Sequence, residues 1–336
     1  MQNLPLMSTE TTPALPLVSI ALCVYNGEKY LRAQLDTLVH QTYPHLEIVA
    51  VDDCSRDASV AILKEYQEKY PFLRISANEK NLGYTKNFEK ALTLCRGELL
   101  ALADQDDVWE LDKIRLQVQA LDSNLLIYHD SAFLNEAGKP VHKKMSDIIR
   151  LYRGNEPETF LLFNCVSGHS CLFRRALLPY ILPFPVEFPH DQWIAYVATN
   201  LGTIDFLPQC LVGYRQHNAN STDILNRRRK IDKKYHENRD LAKLRRDLKW
   251  IKQCATFRAN KNQAFLDEFV WLFEERLASF FSFRYARLIQ AHYEKLYFIP
   301  YKRNTTKGGF VRRQAWGLRA KLLWERYVAS LPSLFD

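Results

Sequence analysis

Four apolar runs rich in strand formers, each followed by an amphipathic stretch, fill the first third of the chain. They are LVSIALCV (17–24), LEIVAVDD (46–53), LRISANEKNLG (73–83, running into a turn) and ELLALAD (98–104). After the first, GEKYLRAQLDTLVHQ carries Leu31, Leu35, Leu38 and Val39 at helical spacing. SRDASVAILKEYQEKY, TKNFEKALTLC and LDKIRLQVQAL (111–121) also read as helices, the first with Ser55 or Asp57 near its cap. Strand and helix in strict alternation leave few options. A βαβαβαβα order implies an α/β fold with a mostly parallel central sheet and helices on both faces. Ligands of such folds sit at the carboxyl ends of the strands. Two aspartate clusters fall at those ends, VDD at 51–53 and DQDD at 104–107.

The second cluster poses an electrostatic problem. Asp104, Asp106 and Asp107 occupy three of four consecutive positions after a buried run, and carboxylates that close repel one another. No basic residue lies near them in sequence, so a divalent cation is the expected partner. Magnesium or manganese is commonly held by one or two carboxylates together with substrate phosphates. The loop is no EF-hand, since it lacks the alternating oxygens, the central glycine and the terminal glutamate. The chain has neither a Walker A loop nor G-x-G-x-x-G, which argues against a P-loop enzyme or an ordinary dinucleotide oxidoreductase.

Beyond residue 122 the pattern changes. LLIYHDSAFLN with EAGKPV suggests a strand and hairpin, NCVSGHSCLFRRALL (164–178) a strand entering a helix, and FPHDQWIAYVATNLG (188–202) a helix. TIDFLPQCLVGYRQH (203–217) reads as two short strands, and from about residue 224 the chain reads as helical, basic and aromatic. Residues 221–336 hold 26 Lys/Arg against 12 Asp/Glu, whereas residues 1–220 hold 20 against 26. That asymmetry suggests two parts with different partners. The seven cysteines are scattered without a CxxC pair, so a reduced, cytoplasmic protein with packed thiols is expected rather than a disulfide framework. No long uncharged apolar span predicts a transmembrane helix, and the N-terminus reads as a loose leader, not a signal peptide.

VSIALCVYNGEKYLRAQLDTLVHQTYPHLEIVAVDDCSRD, NLGYTKNFEKAL and ADQDDVWELDK together resemble the family 2 glycosyltransferases of GT-A fold. DQDDxW, with HDQW and YRQH further on, is similar to a bacterial subgroup described as rhamnosyltransferase-like. The resemblance spans roughly residues 16–220. It implies a leader over 1–15, a GT-A catalytic domain over 16–220 and a basic helical region over 221–336.

The resemblance also implies roles. Tyr25, with Glu28 in the same CVYNGE turn, would lie against the donor nucleotide, and Asp53 would accept from the base imide, with Asp52 as alternative. Lys86 would reach the diphosphate, where lysine lacks the fork of the arginine found in many relatives. Asp104 would hold the ribose and Asp106 the Mn2+ or Mg2+ ion, with Asp107 supporting it. His217 would be a further metal ligand or a diphosphate contact. Asp191 would be the base that takes the acceptor's proton, and His190, where many relatives have glutamate, a modulator. Trp193 would be an acceptor-stacking surface or core, and Gly168 would let the backbone approach the sugar.

The implied activity is inverting, metal-dependent transfer of one hexose from a UDP- or dTDP-sugar to a bacterial surface glycan. The missing QxxRW favours single transfer over processive synthesis. A catalytically silent sugar-nucleotide or glycan-binding protein on the same fold is the alternative. Nucleic-acid binding is not expected, because the basic half lacks a recognised motif and its aromatics fall at packing spacing. FVRRQAWGLRAKLLWERYVASL (310–331) reads as an amphipathic helix. It is expected either to lie on an anionic membrane, to pack on its own domain or to form a homodimer interface.

Overall fold

The computed structural model describes residues 15–217, 233–301, 306–320 and 322–323. Strands β1 (Val18–Val24), β2 (Leu46–Asp52), β3 (Leu73–Ala77) and β4 (Leu99–Asp104) alternate with helices α1 (Glu28–Val39), α2 (Ser59–Lys69) and α3 (Tyr84–Leu94). There follow β5 (Val108–Trp109), α4 (Lys113–Leu121), β6 (Leu126–Leu134), β7 (Pro140–Lys144), β8 (Leu172–Arg174), α5 (Leu178–Ile181), α6 (His190–Leu201) and β9 (Ile204–Arg215). The remaining described elements are helical: α7 (Lys233–Ala255), α8 (Gln263–Ala278), α9 (Phe283–Ala291), α10 (Tyr293–Leu296) and α11 (Lys307–Gln314).

All seven residues of β1 are buried, as the continuous apolar run requires of a strand covered on both faces. The sheet order is β3-β2-β1-β4-β8-β6-β9-β5, with β7 paired to β6. β1 runs parallel to both β2 and β4, while β8 runs antiparallel to β4 and to β6. The parallel register sets Val24 opposite Asp52 and Cys23 opposite Asp104, so the two aspartate clusters stand level at the carboxyl edge. This is the α/β sheet the alternation implies.

Three local readings change. Residues 203–217 hold one strand, β9, because shifts in its register with β6 absorb Pro208 without ending it. Residues 164–178 fold as a 3-10 turn at Gly168–Ser170, then β8, a second 3-10 turn and α5. The stretch 310–331 is not one helix: α11 ends at Gln314, and Trp316 bridges back to Phe281. A Cβ on Gly317 would sit 2.1 Å from the Ser279 carbonyl oxygen, so only glycine allows this close approach. Trp324 and the rest of that stretch beyond Leu323, like the leader 1–14, lie outside the described residues.

Two apolar clusters flank the sheet, and one of them extends into the C-terminal helices. Trp250 on α7 meets Trp193 and Tyr196 on α6 edge-on, and Phe257 meets the same two rings. All seven cysteines are free. Among the described residues no helix is long and apolar enough to cross a membrane.

Candidate active site

The loop between β4 and β5 presents the three aspartates at the sheet's carboxyl edge. It is tied down by its neighbours. Gln105 accepts from the Tyr25 amide at 2.7 Å and donates to the Tyr25 carbonyl at 3.0 Å, locking the loop to the turn after β1. Within that turn Asn26 adopts a φ of 48°. Asn26 N and Gly27 N donate to Ser55 and Ser59, and Glu28 accepts from Ala58 N. Glu28 and Asp57 therefore join the two strand-end turns, and Glu28's visible role is to hold the turn. Tyr25 itself is 47% exposed at the edge of the site.

The opposite wall comes from β9. Arg215 N donates to Asp107 Oδ1 at 3.1 Å, and Arg215 Nε donates to the Asp106 carbonyl at 2.8 Å. This seats His217 Nε2 2.7 Å from Asp106 Oδ2, with the imidazole stacked on Tyr30 at 5.0 Å. Asp106 and His217, expected as metal ligands from motifs 111 residues apart, thus meet in space. The structure also brings basic groups to the cluster. Besides Arg215, Lys113 is wholly buried and packs 3.3 Å over the Trp109 ring, and burial lowers its pKa to about 7.

Behind the loop lies His169. One ligand atom each from Asp104, Asp107 and His169 fall within 4.8 Å of one another. His169 Nδ1 stands 3.5 Å from Asp107 Oδ2, and its Nε2 meets Ser131 Oγ at 2.9 Å. Burial holds this imidazole at a pKa of about 3, so it is neutral and able to act as a ligand. Burial, then the charges of Asp106 and Asp191, raises Asp104 to about 7, and burial with its aspartate neighbours pushes Asp107 well up. Asp107 Oδ2 has no hydrogen-bond partner. Crowded carboxylates, a neutral imidazole and an unpaired buried oxygen fit a hard divalent cation.

Asp191 opens α6 and faces the same space, close enough for its charge to act on Asp104. Its Oδ1 accepts from Asn164 Nδ2 and Gln192 N, and its Oδ2 from Gly168 N at 3.2 Å. Burial raises its pKa to about 6 against these backbone bonds, which pull it down.

The other expected residues have the following surroundings. Asp53 is buried with both oxygens engaged: Oδ1 accepts from Asn78 Nδ2 and Leu82 N, and Oδ2 from Gly83 N. It organises the 78–83 loop. Asp52 Oδ1 is buried without a partner, so of the two, Asp52 has the free acceptor. Lys86 is paired with Glu89 at 2.9 Å and is partly exposed. His190 is buried among Phe88, Phe184 and Tyr84, both ring nitrogens unpaired, and burial lowers it to about 4. Trp193 is core, its Nε1 donating to the Ile181 carbonyl at 3.0 Å. Neither ring offers an acceptor surface. A Cβ on Gly168 would meet His190 Nε2 at 3.1 Å, so that glycine makes room for His190.

Sequence reading passed over Gln105, Tyr30, Arg215, Asn164, His169 and Lys113. Arg215 lay inside YRQH, and Asn164 and His169 inside NCVSGHS, but neither spacing nor periodicity could pair them with the DQDD loop.

A half-sheet in order 3-2-1-4, carboxylates at its edge and an aspartate at the start of a facing helix make a GT-A-like arrangement. Residues 19–182 match the family model Glycosyl transferase family 2. Over these residues the chain is similar to the family 2 glycosyltransferases, and its fold is GT-A-like. It is 27% identical to a glycosyltransferase of Haemophilus influenzae over 63% of this chain and 69% of that one. It is 32% identical to the glycosyltransferase EpsH of Bacillus subtilis over 60% and 61%, respectively. The fold is similar to S. aureus TarS 1–349 in complex with UDP-GlcNAc, with a TM-score of 0.56 at 18% identity over 96% of this chain and 94% of that one. It is also similar to the mannosyltransferase PcManGT of Pyrobaculum calidifontis in complex with GDP-Man and Mn2+, with a TM-score of 0.51 at 17% identity over 94% and 81%.

Proposed function

We propose that the chain is an inverting, metal-dependent transferase. It moves a single hexose from a UDP- or dTDP-sugar to a bacterial surface glycan, such as an O-antigen, lipopolysaccharide or capsule precursor. The observation that carries this is the convergence of Asp191 with the Asp104–Asp106–His217 wall in one space. A carboxylate raised to about 6 is poised for general-base work near neutral pH. The sugar-nucleotide complexes of the two structural neighbours, one with Mn2+, support the donor class and the cofactor.

Asp106 and His217, backed by Asp107 and His169, would hold Mn2+ or Mg2+. That cation would stabilise the negative charge growing on the leaving nucleoside diphosphate. Tyr25 and Asp52 border the donor side, Tyr25 offering a ring to the base and Asp52 Oδ1 an acceptor. Asp191 Oδ takes the proton of the acceptor hydroxyl as the new glycosidic bond forms and the sugar–phosphate bond breaks. Asn164 and Gly168 N keep that carboxylate aimed.

The DQDDxW loop and YRQH keep a rhamnosyltransferase-like specificity, hence dTDP-rhamnose, beside UDP-hexoses in this reading. A lipid-linked acceptor at the inner face of the plasma membrane places the enzyme in the cytoplasm, peripheral to that membrane through its C-terminal helices. The deciding experiment is thermal stabilisation and hydrolysis across a panel of sugar nucleotides, with and without Mn2+ or Mg2+. Stabilisation by one donor only when metal is present, with release of its nucleoside diphosphate, is the expected result. Donor binding without turnover on any acceptor would support the silent binding protein instead.

A further inference from the structure

Exposed apolar surface is unevenly spread over the molecule. Trp271, Phe280, Phe281, Phe283 and Trp316 are each 45–66% exposed, and all belong to the C-terminal helices and their connections. Three of them form one patch: Phe281 stacks on Phe283 at 5.7 Å and packs against Trp316 at 5.3 Å. The patch borders a groove of about 450 Å³ whose other walls include Arg287, Gln290 and Arg312. Its backbone is clasped, with Ser282 N donating to Ala315 O at 2.8 Å and Gly317 N to Phe280 O at 2.9 Å. The inner faces of these helices are already satisfied, since Tyr285, Ile289 and Val311 join the core. The aromatic face is therefore surplus to folding.

Its charge is one-sided. α9 and α11 carry Arg284, Arg287, Arg312 and Arg313 and no acidic residue, while Lys307 of α11 is paired with Glu294 of α10 at 3.0 Å. A second copy docked face to face through a twofold axis would set these cations against each other, which disfavours self-association here. Aromatic rings at half exposure beside guanidinium groups match the headgroup boundary of a bilayer, where rings enter the interface and arginines meet phosphates.

We propose that the Phe281–Phe283–Trp316 face, with Arg287 and Arg312, docks on an anionic lipid bilayer. The proposal deepens the peripheral placement given above and rests on that reading for its purpose, not for its chemistry. The test is sedimentation of the full chain with vesicles of phosphatidylcholine, with and without phosphatidylglycerol, at low and high salt. The unaltered protein is expected to pellet only with the anionic vesicles, and less at high salt. Phe281→Ser with Phe283→Ser should abolish pelleting. Arg287→Gln and Arg312→Gln should weaken it by roughly fivefold each, the equivalent of about 1 kcal/mol per basic residue. Every substituted side chain is exposed, and a circular dichroism melt confirms that each variant is folded. Donor-dependent thermal stabilisation, measured on the same samples, reports on the transferase reading separately. The proposal is overturned if the unaltered chain stays in the supernatant, or if the variants pellet as it does. It is also overturned if light scattering shows a dimer that the phenylalanine variant dissociates while no vesicles are bound.

Discussion

In the proposed mechanism Asp106 and Asp191 have opposite tasks, and their surroundings differ. Asp106 meets His217 at 2.7 Å, so Asp106→Asn removes the proposed charged ligand while keeping the shape. The expected outcome is loss of metal-dependent donor binding and of transfer, with an unchanged fold. Calorimetry with donor and Mn2+ checks this, and unchanged affinity would move the metal elsewhere. Asp191→Asn should leave donor affinity intact and lower turnover by roughly 10²–10⁴, the usual worth of general acid–base catalysis. Its pH dependence follows from burial, which raises the carboxyl to about 6. A base must be deprotonated to act. Turnover should therefore rise with pH through about 6 and fall below it, and this limb should disappear in the Asn variant. A pH–rate profile that stays flat across that region removes Asp191 as the base, leaving Asp130 in YHDSAF as the next candidate.

At the scale of elements, the site is assembled by connections between strand ends. Asp53 joins the end of β2 to the loop before α3 by accepting from Leu82 N and Gly83 N. Gly83, at a φ of 80°, is the residue that lets the chain turn into α3 there. Asp53→Ala removes the acceptor of the partly buried Leu82 and Gly83 amides and should cost about 1–3 kcal/mol in all. Denaturant melts measure that cost, and donor binding in the folded fraction shows how far the loop matters to the nucleotide. A second element-level case is the clasp between 279–282 and 315–317. Gly317→Ala drives a Cβ to 2.1 Å from the Ser279 oxygen, and backbone cannot yield as a flexible side chain does. A loss of about 1–3 kcal/mol, the usual cost of overpacking, is the expected result in the same melts.

Across the whole molecule, the C-terminal helices are bound to the sheet through aromatic core. Trp250 is 4% exposed, its Nε1 donates to the Phe160 carbonyl at 3.0 Å, and it touches both Trp193 and Tyr196. Trp250→Ala should cost about 3–5 kcal/mol, as large-to-small changes of buried tryptophan do. If residues 16–220 and 221–336 fold together, the unaltered chain melts in one transition that shifts as a unit in this variant. Two resolved transitions would show that the two parts are separate cooperative domains.

The alternation of apolar runs with amphipathic stretches was enough to specify a parallel half-sheet, because each pattern has only one way to bury its apolar side. It also put the aspartates at strand ends, where a doubly covered sheet leaves its only open edge. Motif order pointed to Asp106 and His217, which meet in space, and to Asp191 beside them. Other features depended on which distant backbones come together. Asp53 and Asp52 are adjacent in the chain, yet one is consumed by amides 29 and 30 residues away and the other keeps a free oxygen. His190 and Trp193 sit in a motif read as functional, but the rings of α3 and α7 close over them. Arg215 reaches the DQDD loop across more than a hundred residues. Local periodicity determines which face of an element is buried. It cannot say what a polar side chain will meet there, because that partner comes from another part of the chain and is positioned only when the sheet closes.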